Sequence, residues 1–407
     1  MCQFFLRWTT YGSLKYTYLN AGIFLSLLMP QNIHILIAGA GGIASAAGLL
    51  LAAWSKDPVR ISILNRNVAR AEEVARWIRT GAGRPCEVQG LSLDPHSDAE
   101  TLRSLQEAEV LLDCLPGFLA PAMAKLALQY NTHYVNLTEY VKETQAIQSM
   151  AKNARKGFLL QTGLAPGYIN VLARLLFHRF CDTHAVQKAD SIEMKVGALP
   201  HHAVPPHYYG FTWSPIGVAT EYVEPALVIR GLKKQKRPAL SEIEELIIDG
   251  VRYEADLTSG GAADLPEHFA GKVHNLDYKT LRFPGHYAWV KKQLAVQVSG
   301  EDTVESLEKS MLRAVPHLED DQIVLYAAVQ GYGSDGNLHR IEHARRIPPI
   351  RVGAYQLRAI QATTATAMLQ AAELLLGNSL QGVVLQSHID PASFLNGDFI
   401  TPVYGTV

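Results

Sequence analysis

The stretch Ile33–Leu50 reads IHILIAGAGGIASAAGLL: an apolar run of strand character enters a glycine turn and leaves it as a helix of small residues. Gly39, Gly41 and Ala44 stand at GxGxxA spacing. Gly39 permits the tight turn, Gly41 lets a phosphate approach the backbone with no Cβ in the way, and Ala44 keeps the helix close to the strand. The first helical residues, Gly42 and Ile43, then present unpaired N–H groups and the positive end of the helix dipole to an anion. A helix through Trp54, the pair Asp57-Pro58 and a second apolar strand, Val59–Leu64, complete the βαβ unit that a dinucleotide pyrophosphate requires.

The end of that second strand selects between nicotinamide cofactors. An acidic residue there would hold a ribose 2′-hydroxyl and repel a 2′-phosphate, but the chain reads Leu64-Asn65-Arg66-Asn67. Arg66 can pair with a 2′-phosphate through its planar guanidinium, and Asn65 or Asn67 can donate hydrogen bonds to it. The pattern favours NADP, with NAD the second choice.

Strand and helix patterns alternate onward: Ala69–Arg79 is helical, Val110–Leu115 is a strand ending at Pro116-Gly117, Ala120–Gln129 is helical and His133–Asn136 is a strand. These are βα units of an open parallel sheet, whose ligands gather at the carboxyl ends of the strands. Leu115, Pro116 and Thr138 therefore border the cofactor. Phe158–Thr162 leads into Gly163-Leu164-Ala165-Pro166-Gly167, a sharp entry to a helix around Ile169–Phe177. From about Ala189 period-two alternation takes over, in Ser191–Gly197, Ala226–Arg230, Glu244–Ala255, Val273–Leu281 and Gln322–Gln330. Asp249-Gly250 between two apolar runs is a hairpin signal. A long Ala- and Leu-rich segment, Gly353–Leu376, predicts a helix that packs back on the first domain.

The fold expected is α/β: a Rossmann dinucleotide-binding domain over residues 29–165, a second α+β domain with a mixed or antiparallel sheet over 166–345, and a returning C-terminal helix and tail over 346–407. Residues 1–28 read as an extension that precedes the natural start at Met29. Their apolar run Ala21–Leu28 lacks a cleavage site and is too short to cross a bilayer.

Composition narrows the function. The 407 residues carry a net charge of -1 and 48% apolar residues, enough for full cores and with no footprint for nucleic acid or an anionic membrane. The one basic run, Lys233-Lys234-Gln235-Lys236-Arg237, predicts a solvated loop. Cys2, Cys86, Cys114 and Cys181 have neither disulfide-framework nor CxxC spacing, which points to a reducing, cytoplasmic setting. His201, His202 and His207, and His339 with His343, lack a zinc-site pattern, so no metal is expected.

The fingerprint, Gly163–Gly167, Gly197-Ala198-Leu199-Pro200, Thr212-Trp213-Ser214 with Gly217 and Glu221-Tyr222, and Tyr278-Lys279-Thr280-Leu281-Arg282-Phe283-Pro284-Gly285-His286 together resemble the saccharopine dehydrogenase family, and most of all its lysine 6-dehydrogenase-like branch. The resemblance runs from about Ile33 to the C-terminus. It implies that the second domain is an inserted substrate domain, hydride transfer at a C–N bond of an amino acid or its imine adduct, with lysine or saccharopine as leading substrates, and a homodimer through the second domain's sheet. NAD is frequent in relatives of the lysine 6-dehydrogenase type, whereas Asn65-Arg66 reads as NADP.

Such chemistry needs a group that moves protons on and off nitrogen or water, and cations that anchor carboxylates. His286, on a turn after a strand, titrates near neutrality and is the acid–base candidate. Arg282 and Lys279 are the carboxylate anchors. Glu221 and Tyr222 form a second polar pair, and Glu139-Tyr140 approach from the cofactor side. The competing reading is a Rossmann protein that senses NADP(H) and has lost catalysis. A sensor has no need of an acid–base group beside carboxylate-binding cations.

Overall fold

The computed structural model describes residues 33–296, 302–378 and 380–407; the expected extension, residues 1–28, lies outside them. β1 (Ile33–Ala38) is buried along its whole length and pairs in parallel with β2 (Val59–Asn65) and β4 (Val110–Asp113). β3 (Glu87–Ser92) continues the sheet beyond β2, while β5 (His133–Asn136) and β6 (Gly157–Leu159) continue it beyond β4. All these pairs are parallel, and the order reverses between β1 and β4, which opens a crevice at the carboxyl ends of the strands. Helices α1 (Gly42–Trp54), α2 (Val68–Gly81), α3 (Ala99–Glu107), α4 (Ala120–Gln129) and α5 (Val141–Ala151) connect successive strands. β3 goes unmarked in the sequence because Glu87, Gln89 and Gly90 break its apolar run.

After α6 (Tyr168–His184) the chain builds a mixed sheet around β7 (Ala189–Pro200). β8 (Ala226–Arg230), β9 (Lys233–Arg237), β10 (Glu244–Ile248), β11 (Val251–Leu257), β12 (Val273–Arg282), β13 (Asp321–Tyr332) and β14 (Leu338–Ile347) complete it. The path runs β10-β11-β12-β7-β13-β14, with β12 parallel and β13 antiparallel to β7. Asp249 and Gly250, at φ 48° and 77°, make the two-residue turn between β10 and β11, and Ile248 pairs with Val251. Helices α7 (Pro215–Val223), α8 (Leu265–Phe269), α9 (His286–Ala295) and α10 (Thr303–Ala314) are inserted between these strands.

Two expectations are corrected. The basic run Lys233–Arg237 is the strand β9, paired with β8; its lysines and arginine are exposed, a charge pattern that discourages a free edge from pairing with another chain. The long C-terminal helix begins at Ala359 rather than Gly353, because Gly353 turns a short hairpin between β15 (Ile350–Val352) and β16 (Tyr355–Leu357) at φ 54°. That helix, α11 (Ala359–Gly377), packs on α1, and the alanines on both let the backbones approach closely. Beyond it β17 (Gly382–Val384) joins the first sheet parallel to β6, so the last stretch of the chain returns to the first sheet.

Candidate active site

The cofactor half of the site is made of backbone. Gly39 sits at φ 117° and donates its N–H to the Leu64 carbonyl at 2.8 Å, which ties the turn to the end of β2. A Cβ there would lie 3.0 Å from the Cys114 carbonyl oxygen, so both conformation and space demand glycine. Gly41 caps α1 with open space before it, no side chain caps the helix, and no acidic residue occupies its first turn. Ala44 is fully buried against the sheet, while Ile43 reaches the neighbouring cavity. These features fit a dinucleotide pyrophosphate: free N–H groups, a positive helix end and no side chain in the way.

At the end of β2 the Oδ1 of Asn65 accepts from the Asn67 N–H at 2.9 Å, and the Oδ1 of Asn67 accepts from the Arg70 N–H at 3.2 Å. Both side chains thus keep their NH2 groups for other acceptors. Arg66 beside them is exposed and has no partner among the described residues. On the other flank, the loop after β4 carries Leu115 and Pro116, and Gly117 abuts the Thr138 hydroxyl in the loop after β5. The structure therefore gathers Leu115, Pro116 and Thr138 at the strand ends, across the switch point from Arg66.

The substrate half is made of side chains. A cavity of about 190 Å³ lies between the strand ends of the first sheet and one face of the second. Leu137, Glu139 and the turn Gly163–Pro166 line it from the first domain, and Val196, Ala198, Trp213, Glu221, Tyr278, Thr280 and Arg282 from the second. α11 adds Ile360 and Thr364. Ile43 of the dinucleotide-binding helix shares this wall, so the cofactor site and the cavity are contiguous.

Strand geometry sorts the candidates on β12. Successive side chains point to opposite faces, so Tyr278, Thr280 and Arg282 reach the cavity. Lys279 lies on the reverse face, where its ammonium donates to the Glu242 carbonyl at 2.7 Å and pairs with Glu244 at 3.4 Å. Lys279 is thereby removed from the substrate-binding set.

His286 is also displaced from the expected role. It follows the turn at Gly285 (φ 101°) as the first residue of α9 and is wholly buried. Its Nδ1 lies 2.6 Å from the His207 carbonyl, an acceptor only, so Nδ1 carries the proton and donates. Its Nε2, 3.0 Å from the Tyr222 hydroxyl, is then the acceptor. Tyr222 in turn accepts from Arg282 Nε at 2.6 Å. Burial, and next the Arg282 charge, lower the His286 pKa to about 3, so the ring stays neutral. Both ring nitrogens are occupied and neither faces the cavity. His286 and Tyr222 are positioning residues: they form a relay that fixes the Arg282 guanidinium, whose Nη1 donates to the Leu281 carbonyl at 2.9 Å. The Tyr209 ring, 4.6 Å from the guanidinium carbon, supports Arg282 further.

The groups that remain free to move protons are two carboxyls. Glu221 lies on α7, a helix capped by Ser214, whose Oγ accepts from the Gly217 N–H at 3.3 Å. Glu139 comes from the loop after β5. The segment Ser259-Gly260 joins them: the Ser259 N–H donates to the Glu221 carbonyl at 3.1 Å, and Gly260 leaves no room beyond the Glu139 Cβ. Among the described residues neither carboxyl accepts a hydrogen bond. Burial raises the Glu221 pKa to about 7 against the opposing pull of Arg282. Burial raises that of Glu139 well above the carboxylate range, and the nearby Glu221 charge adds to the effect. A carboxyl held near neutrality and a second raised above the carboxylate range, beside a fixed cation in a cavity, are an arrangement suited to general acid–base work.

Two family models cover the chain: the saccharopine dehydrogenase NADP binding domain matches residues 35–160, and the saccharopine dehydrogenase C-terminal domain matches residues 163–397. The chain belongs to the saccharopine dehydrogenase family. By family it is a nicotinamide-dependent oxidoreductase with an NADP-binding domain, and the resemblance carried by the fingerprint and the Tyr278–His286 segment is borne out. The fold is that of apo saccharopine dehydrogenase (L-Glu forming) from Saccharomyces cerevisiae, with a TM-score of 0.68 and 15% identity over 91% of this chain and 96% of that one. It is also that of homospermidine synthase from Legionella pneumophila in complex with NAD, at a TM-score of 0.65 and 14% identity over 93% and 92% of the two chains. Among curated proteins, mitochondrial alpha-aminoadipic semialdehyde synthase of Rattus norvegicus is 27% identical over 130 residues, 31% of this chain and 14% of the relative. The counterpart in Mus musculus is 25% identical over 142 residues, 34% of this chain and 15% of the relative. The match thus spans about a seventh of those longer proteins.

Trp213, Tyr278 and Thr280, named in the sequence only as carriers of the resemblance, line the cavity as well. Tyr278 and Thr280 follow from Arg282 by strand alternation alone, whereas no sequence signal announces that Trp213, Ile360 and Thr364 meet them. Among the described residues no helix is long and apolar enough to cross a membrane.

Proposed function

We propose that this protein is an NADP-preferring oxidoreductase of a C–N bond in an amino acid or its imine adduct, acting in the metabolism of lysine or a related amine. The observation that carries the reading is the pair of unpartnered carboxyls, Glu139 and Glu221, beside Arg282 in a cavity that shares a wall with the dinucleotide-binding helix. When bound, the nicotinamide supplies or accepts the hydride at the C–N carbon. Arg282 holds the substrate carboxylate with the N–H groups that Tyr222 and Leu281 leave free. Glu221 takes the proton released from nitrogen or water in the oxidative direction and returns it in the reductive one. Glu139 faces the amine, and the apolar Val196, Ala198 and Trp213 pack along its methylene chain.

The charge inventory orders the substrates. Arg282 is the one cation lining the cavity among the described residues, so each carboxylate beyond the first would be desolvated near two acids. Lysine therefore ranks above saccharopine, which carries three carboxylates. The sensor reading is less economical, because a site that only binds a dinucleotide does not need two buried acids next to it.

The test is the change in nicotinamide absorbance with purified protein, comparing NADP with NAD against lysine and saccharopine. Turnover with lysine and NADP supports the proposal. Tight NADPH binding with no turnover of any amine or imine contradicts it.

A further inference from the structure

We propose that Arg358, at the start of α11, is a second cation for the dinucleotide, supplied from the C-terminal part of the chain to the pyrophosphate held by α1. The observation is a guanidinium that is poorly used by the protein around it. Arg358 Nη1 donates to the Leu318 carbonyl at 3.1 Å, but its Nε is buried with no hydrogen-bond partner. The carboxylate within ion-pair range, on Glu319, stands 3.7 Å from that Nε and is itself 91% exposed. The neighbouring Asp321 spends both oxygens on the N–H groups of Ala359 at 2.6 Å and Ile360 at 2.9 Å, at the first turn of α11. Nη2 has no partner among the described residues.

That free end points at the turn where an anion is expected. Arg358 Nη2 lies 3.4 Å from the place a Cβ on Gly42 would occupy, and Gln361 Nε2 lies 2.8 Å from it. Gln361 Nε2 also donates to the Gly42 carbonyl at 3.3 Å, and its Oε1 accepts from the Arg358 N–H at 3.0 Å. The first turns of α1 and α11 are thus locked side by side, with a guanidinium beside Gly42. An arginine with Nε and Nη2 unpartnered, next to a glycine turn that offers N–H groups, is suited to receive phosphate oxygens. A side chain at Gly42 would push Gln361 Nε2 aside and sit in contact with Arg358 Nη2. Arg66 and Arg358 then divide the work. Arg66 reads the 2′-phosphate, whereas Arg358 reads the pyrophosphate that NAD and NADP share.

The experiment is fluorescence titration of the full chain with NADPH and with NADH. Arg358→Met, which keeps the stem, is expected to raise both dissociation constants about tenfold, the loss of a hydrogen bond to a charged group. Arg358→Lys recovers part of that loss. Arg66→Ala raises the NADPH constant by a similar factor and leaves that for NADH within about twofold. In the wild type, NADPH slows hydrogen exchange of the N–H groups of residues 359–364. Unchanged dissociation constants in Arg358→Met overturn the assignment, as does a loss confined to NADPH or a wild type whose α11 gains no protection. A lowered melting temperature with intact binding of both dinucleotides also overturns it, since Arg358 would then serve only the contact with Leu318.

Discussion

The dinucleotide site and the substrate cavity meet at Ile43, yet they are built from different materials. One is centred on a contiguous turn that offers backbone N–H groups, a positive φ and no Cβ atoms to a phosphate. The other is assembled from side chains spread from the loop after β5 to α11, by way of the turn at Gly163–Pro166, β7, Trp213, α7 and β12. A backbone site fails when a side chain is added. A side-chain site fails when a charge is removed.

The largest effect is expected in the backbone half. Gly39→Val puts a β-branched residue at φ 117° and drives its Cβ toward the Cys114 carbonyl. The strain of about 2 kcal/mol and the displaced turn should raise the NADPH dissociation constant by at least about a hundredfold, read by fluorescence titration. Binding that survives this substitution would break the distinction between the halves.

In the side-chain half, Glu221→Gln keeps the shape and removes the proton carrier. A fall in kcat/KM of about 100- to 1,000-fold with NADPH binding unchanged is expected from steady-state rates and titration. An equal loss in both quantities would mean that the two halves are one coupled site.

His286 belongs to the side-chain half although it does not line the cavity. His286→Ala opens a cavity and leaves the Tyr222 hydroxyl without its acceptor, so thermal unfolding should show a loss of about 3 kcal/mol. The pH dependence follows from its lowered pKa. Above about 6.5 both folded and unfolded chains hold the ring neutral, and its stabilising effect is complete. As pH falls below 6.5 the unfolded chain takes up a proton that the folded chain refuses down to about 3, so stability is lost over that window. His34 and His133, each lowered to about 4 mainly by burial, add to the same slope. Wild type should therefore lose melting temperature between pH 6.5 and 4 more steeply than His286→Ala.

Lys279→Met is the smallest effect. The residue lies on the reverse face of β12, so kcat/KM should stay within about twofold of wild type even if the loss of its pairs with Glu242 and Glu244 lowers stability. A large fall in kcat/KM would place Lys279 in the cavity after all.

The same contrast explains what was readable in the chain. Gly39, Gly41 and Ala44 are separated by a few residues and carry a geometric demand, so the sequence announces them. The hairpin at Asp249-Gly250 and the alternation of β7, β12 and β13 are local in the same way. Lys279 and Arg282 look alike until the register of β12 is known, because faces differ by one residue. His286 looks like an acid–base group until its surroundings are filled in, since burial by distant Tyr222 and His207 is not written near it. Glu139 and Glu221 acquire raised pKa values because folding buries them, which nothing in their own stretches of sequence announces. Gly353 reads as the start of the helix because Ala354 and Leu357 resemble the Ala- and Leu-rich run that follows, although it turns a hairpin.

The most direct test of the claim that buried carboxyls, and not His286, handle the proton is the pH dependence of kcat/KM for amine oxidation in wild type and Glu221→Gln. The wild-type profile should rise through an ionisation near 7 that is absent from the variant. The same ionisation persisting in Glu221→Gln would contradict that claim.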